Sequence, residues 1–201
     1  MDKIPLPQSY HNFSDKRTIL GIPNGFNVLS NFAILIPAII YYRKRGKNNL
    51  LFIHLLLLAI ASSYYHLNPS DDTLFWDFLM IATTSMIIFT MMSETKNGKL
   101  FYLLGILSVI YWKMTGDLRL YLIILIGLPL YIVLKYYKDI TLRKYVITFI
   151  ITFTLARLFE HNDHFMYQIT NQQISGHTLK HIIGSIGILS VVKILEKTNK
   201  F

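Results

Sequence analysis

No cysteine occurs anywhere in the chain. That excludes a disulfide framework, a thiolate nucleophile and a thiolate metal ligand, so any metal site must be built from His, Asp or Glu. Charge is scarce as well. Asp, Glu, Lys and Arg make up 15% of the residues, against about 25% in an ordinary soluble domain. Acidic residues are the rarer sign, 11 against 20 basic, which leaves a formal net charge of +9. A nucleic-acid partner would need those cations gathered into one patch or stripe. Here they fall in short clusters between apolar blocks, the arrangement found at the ends of membrane spans, and no nucleic acid is expected. The chain also lacks internal repeats, low-complexity tracts and any stretch polar enough to form a separate soluble domain. The first 25 residues are polar and contain three prolines, so no signal peptide is expected there.

What the chain has in abundance is apolar length. Apolar and aromatic residues make up 53% of its 201 positions. They come in blocks of roughly 17 to 21 residues, enough to cross a hydrocarbon core about 30 Å thick at about 1.5 Å per residue. The pattern predicts an all-α integral membrane bundle of seven helices in one domain, over residues 27–42, 49–66, 73–93, 99–112, 118–137, 142–160 and 176–195. The fourth block is the shortest, and Pro129 predicts a kink in the fifth. Counted alternately between these spans, Lys and Arg number thirteen on one side and five on the other. The heavier side includes Arg43, Lys44, Arg45 and Lys47. By the positive-inside rule the amino terminus then lies outside and the carboxyl terminus in the cytoplasm.

Ionisable groups inside membrane spans are costly and mark function by default. Here they gather at the ends of spans that this topology puts on one outer face: Ser62 and His66, Asp77, Arg157 and Glu160, and His177, Lys180 and His181. Ser62 and His66 are four residues apart, as are His177 and His181, so each pair shares a helix face. Two imidazoles one turn apart can hold one Zn²⁺, and His66 from a neighbouring helix completes a three-histidine set with the fourth position open to water, as in catalytic zinc sites. The segment His177-Thr178-Leu179-Lys180-His181 brings no carboxylate of its own to act as a base. Asp77 supplies one, since the short turn-rich link before it makes the second and third spans antiparallel neighbours. Each piece also has a plainer reading. Ser62 can cap or pack, Asp77 can serve the helix dipole, Arg157 and Glu160 can pair with each other, and His161 and His164 compete for the metal. His54, about 18 Å along its helix from His66, reads as structural.

Three segments carry a family resemblance: Gly21-Ile22-Pro23-Asn24 with Asn27-Val28-Leu29-Ser30-Asn31; Ser62-Ser63-Tyr64-Tyr65-His66 with Leu67-Asn68-Pro69 and Leu74-Phe75-Trp76-Asp77; and Ile174-Ser175-Gly176-His177-Thr178-Leu179-Lys180-His181. In this order the chain resembles the alkaline ceramidases and their bacterial relatives, in the superfamily that includes the progestin and adiponectin receptors. The resemblance implies seven helices, zinc on His66, His177 and His181, proton handling by Asp77, and a Ser62 that positions water or steadies the oxyanion. It implies hydrolysis of a lipid amide, a ceramide or other sphingolipid in the family, to a fatty acid and an amine. Eukaryotic members also bind calcium through an acidic amino-terminal segment. The corresponding region here offers Asp15 and Asn24 but few carboxylates for an ion that takes six to eight oxygens, so zinc is the cofactor expected. Short loops and a Lys-, Ile- and Asn-rich composition point to a bacterial inner membrane, where the substrate is a broader N-acyl lipid. A zinc-containing receptor without turnover and a transporter are the rival readings. A transporter calls for polar groups across the midplane, and the fifth and sixth spans have almost none.

Overall fold

The computed structural model describes residues 2–45 and 50–200, and every described regular element is helical. Lys47 and the start of the second block at Asn49 lie outside the described residues. The helices are α1 (Gly25–Ser30), α2 (Leu35–Arg45), α3 (Leu50–Leu67), α4 (Asp71–Ser93), α5 (Gly98–Thr115), α6 (Arg119–Tyr136), α7 (Arg143–His161), α8 (Asp163–Ile169) and α9 (Gly176–Lys197). A 3₁₀ turn over Asn31–Ile34 joins α1 to α2 into one apolar stretch. Its cause is local. Pro37 has no N–H to offer the Ala33 carbonyl, so the α-helical ladder cannot run unbroken through this segment.

Local chemistry sets the other ends. Ser70 caps α4 by accepting from the Thr73 N–H, and Thr73 returns the bond in a capping box. Asp71 and Asp72 then place negative charge on the first turn, where the helix dipole favours it. The helix that holds Asp77 therefore begins two residues earlier than its hydropathy suggests, and Asp77 is no cap. Gly116, with a positive φ of 73°, closes α5 in the left-handed conformation that glycine adopts at little cost. Ser175 caps α9 through the Thr178 N–H.

Among the described residues, five helical stretches are long and apolar enough to cross a membrane: Gly25–Lys44, α3, α4, α6 and α9. The protein is thus consistent with a multi-pass membrane protein. α5 and α7 have 18 and 19 residues but carry Lys, Arg or Glu near their ends, which lowers their apolar average. Ile60, Ile123, Ile126, Leu130 and Leu134 are each more than half exposed. Large apolar side chains turned outward along successive turns suit a lipid surround and would be an aggregation hazard in water. Inside, one apolar core joins α2, α3, α4, α6, α7 and α9. A second, rich in aromatic rings, packs Phe13, Tyr65, Phe78, Trp112 and Tyr121 near the end of the bundle that carries the polar groups.

Candidate metal centre

The last turn of α3 and the first turns of α9 bring three imidazoles together. His66 Nε2 lies 3.2 Å from His181 Nε2 and 3.3 Å from His177 Nε2. All three residues are buried, with one ligand atom from each lying within 4.8 Å of the others. A single proton between rings can satisfy only one of these two nitrogen–nitrogen contacts, whereas a cation among them can take a lone pair from each of the three rings. The rings therefore fit a metal ion. Among the described residues no other group of three His or carboxylate side chains does.

The surroundings fix the rings. Ser30 Oγ donates to the Asn27 carbonyl at 3.0 Å and lies 2.7 Å from His181 Nδ1. With its only proton spent on Asn27, Ser30 accepts from Nδ1–H, which leaves the His181 Nε2 lone pair free for a ligand bond. Phe13 covers the outer side, its ring 4.8 Å from that of His66 and 4.6 Å from that of His177. Asp163 accepts from the His177 N–H at 2.7 Å with one carboxylate oxygen and from the Ser14 N–H at 2.8 Å with the other. One carboxylate thus pins the start of α9 and the amino-terminal strap together. Asn27 does similar work: its Oδ1 accepts from Ser175 and Thr178, and its Nδ2 donates to the Asp15 carbonyl. Gly176 permits the close approach of α9 to α7, since a Cβ there would stand 2.1 Å from the Phe159 carbonyl oxygen.

Below the triad opens a cavity of about 290 Å³. Ser62, Asp77, Arg157, Glu160, Lys180 and His181 line its head. Mostly apolar side chains line the rest, down to Ile188 and Val191 on α9, with Asn31, Thr84, Ser85 and Ser185 as the polar exceptions. Val191 is ten residues beyond His181, so the apolar part runs about 15 Å along the helix axis. Asp77 is buried beside Ser62, whose side chain interacts with it. The other carboxylate oxygen, Oδ1, is buried without a partner.

The remaining polar residues take definite places. Glu160 pairs with Arg157, as their spacing suggests, and also accepts from Lys180 Nζ at 3.0 Å and Tyr10 OH at 2.9 Å. Burial and the Glu160 carboxylate push the Tyr10 phenol up, so it stays a neutral donor. Lys180 Nζ also lies 2.8 Å from His177 Nε2. His161 and His164 are exposed and stand outside the triad, with His164 bonded to Gln168. His54 sits at the far end of α3, bonded to the Leu50 carbonyl and Tyr102. The Asp15 carboxylate is taken by Arg17, with contacts of 2.9 and 2.7 Å, and the Asn24 amide donates to the His66 carbonyl. These two residues brace the chain around the triad.

Phe13 and Asp163 escaped the sequence reading, and Ser30, though it lies in a segment that carries the resemblance, has no role assigned there. Phe13 and Asp163 lie in polar segments whose fold-back has no local signal. Ser30 is one hydroxyl in a helical turn, and only its distance to His181 distinguishes it. No family model, characterised protein or solved structure matches the chain.

Proposed function

We propose that this protein is a zinc-dependent membrane hydrolase of the alkaline ceramidase type, cleaving the amide of an N-acyl lipid. The observation that carries the reading is a cluster of three buried imidazoles, one of which, His181, lines the head of a long and mostly apolar cavity. Neutral imidazoles without thiolates suit zinc, with a fourth position left for water or substrate. A zinc ion held there supplies a Lewis acid and an activated water.

The chain's own groups do the rest. The apolar cavity holds the acyl chain and brings the amide to the level of Ser62 and Asp77. The free oxygen of Asp77 accepts the proton of the attacking water and returns it to the leaving amine. Ser62 orients that carboxylate with its one proton, and once Asp77 has taken the water's proton the hydroxyl is free to turn and donate to the developing oxyanion. Phe13 keeps bulk water from the outer side. Water adds its oxygen to the carbonyl carbon, the C–N bond breaks, and a fatty acid and an amine leave. In this reading α5 and α7 also span the bilayer, giving seven spans with the amino terminus outside.

Metal analysis and mass spectrometry of lipids, on the same purified samples, test the proposal. About one zinc per chain is expected. His66→Ala, His177→Ala and His181→Ala should each lose most of it, and His54→Ala should not. Asp77→Asn should keep the metal and the fold yet lose about 10²–10⁴-fold in turnover, the usual contribution of general acid–base assistance. Ser62→Ala should cost about 10²–10³-fold. Zinc-loaded protein that cleaves no long-chain N-acyl lipid would shift the reading to a receptor. Full zinc retention in the His177→Ala/His181→Ala double variant would remove the site itself.

A further inference from the structure

The head of the cavity carries more charge than amide hydrolysis uses. Beside the histidines stand two carboxylates, Asp77 and Glu160, and two cations, Arg157 and Lys180. Tyr10 and Tyr121 also line it. The Glu160 side chain is 8% exposed and serves both cations at once. Lys180 is 17% exposed and Arg157 47%, so Lys180 is sunk beside the triad while Arg157 reaches toward the mouth.

Lys180 has two acceptors, Glu160 Oε1 and His177 Nε2. An imidazole nitrogen has one lone pair. Once that of His177 is committed to a metal ion, Lys180 would keep Glu160 and lose its second acceptor. The charge count points the same way. Lys180 and Arg157 cancel Asp77 and Glu160, so a divalent ion on three neutral imidazoles leaves an excess of positive charge even when the Asp163 carboxylate against the His177 N–H is counted. In apolar surroundings an uncompensated charge is costly. A neutral lipid head leaves that excess in place, and an anionic head reduces it.

We propose that the site selects anionic amide lipids, N-acyl amino acids, whose head carboxylate is held by Lys180 with Arg157 at the mouth. The carboxylate of such a lipid is separated from the amide nitrogen by a single carbon. A cation that touches one metal-ligating ring and lies next in sequence to another is close enough to reach it while the amide faces Asp77. This inference rests on the amide-hydrolase reading for the bond cleaved, but head-group selection can be read by binding alone.

N-oleoylglycine and N-oleoylethanolamide share one acyl chain and differ in carboxylate against hydroxyl. Zinc-loaded protein in detergent is incubated with an equimolar mixture, and retained and hydrolysed lipid are both quantified by mass spectrometry. The glycine conjugate should be retained at least about tenfold better, the size of one charge-assisted hydrogen bond. Lys180→Met should abolish most of that preference, Lys180→Arg should keep part of it, and Arg157→Gln should reduce it, with zinc content measured throughout. If Lys180→Met loses zinc or does not fold, the Arg157→Gln and Lys180→Arg results decide. Equal retention of the two lipids by wild-type protein overturns the inference, and cleavage of both would then leave the hydrolase reading standing. Lys180-dependent retention of the glycine conjugate without cleavage would uphold the inference and sink the hydrolase reading.

Discussion

Ser30 accepts a hydrogen bond from His181 Nδ1–H and donates one to the Asn27 carbonyl, so a single hydroxyl favours the tautomer that leaves the His181 Nε2 lone pair free. Removing it leaves the ring free to turn and Nδ1 without a partner in a buried site. Ser30→Ala should therefore weaken zinc binding about 10–100-fold, the usual effect of losing a partner behind a metal-ligating histidine. Ser30→Thr, which keeps the hydroxyl, should retain most of the affinity. Competition with a chelator of known affinity measures both, and an unchanged Ser30→Ala affinity would refute the assignment. The contrast with the triad shows what a sequence exposes at this scale. His66, His177, His181 and Asp77 are legible because ionisable groups are rare in apolar blocks and two of them repeat at one helical turn. Lys180 and Glu160 stand out for the same reason, yet their bond to each other spans two helices and has no sequence spacing. Ser30 and Phe13 are ordinary residues for their segments, and only the fold gives them a partner.

α9 carries two of the three histidines, so its position against α7 sets the site. The two helices meet through glycines. A Cβ at Gly176 would stand 2.1 Å from the Phe159 carbonyl oxygen, and one at Gly187 would stand 2.9 Å from Thr152 Oγ1. The first obstacle is backbone and cannot swing aside. Gly176→Ala should push the start of α9 off α7, destabilise the protein by about 1–3 kcal/mol as overpacking does, and reduce zinc content because His177 is the next residue. Gly127→Ala in α6, where a Cβ meets nothing within 4 Å, should leave zinc unchanged and raise stability by up to about 1 kcal/mol through helix propensity. Thermal unfolding in detergent with parallel metal analysis separates the two. If Gly176→Ala behaves like Gly127→Ala, the close approach is not what positions α9. Helix positions were largely legible because apolar runs of this length have few alternatives. Less so were the 3₁₀ turn before Pro37 and α8, since hydropathy is silent about the hydrogen-bond pattern inside an apolar block and about short helices between spans.

At the scale of the whole molecule, polar function is gathered at one end of an apolar bundle. The triad, Asp77, Glu160 and the amino-terminal strap share the end formed by the last turn of α3 and the first turns of α4 and α9. Lys44, Lys135, Lys193 and Lys200 lie at the other, where Lys44 and Lys193 pair with Glu196 and Lys200 with Glu94. The positive-inside rule counts Lys and Arg near span ends, and on the proposed seven spans the split of thirteen against five predicts the basic end in the cytoplasm and the candidate site outside. The absence of cysteine makes this testable without a fusion that could perturb a small bundle. Thr18→Cys in the strap and Lys138→Cys beyond α6 each introduce the only thiol in the chain, both at exposed positions. A membrane-impermeant maleimide applied to intact cells should label Thr18→Cys and leave Lys138→Cys unlabelled until the membrane is permeabilised. Labelling of both in intact cells would mean an even number of crossings between positions 18 and 138, contrary to the five that seven spans require. The reverse pattern would invert the protein and turn the triad toward cytoplasmic water. An outward site would draw its lipid from the outer leaflet, with the acyl chain in the cavity and the head at the level of Arg157. The labelling pattern thus also decides on which face of the bilayer the fatty acid and amine of the proposed reaction appear.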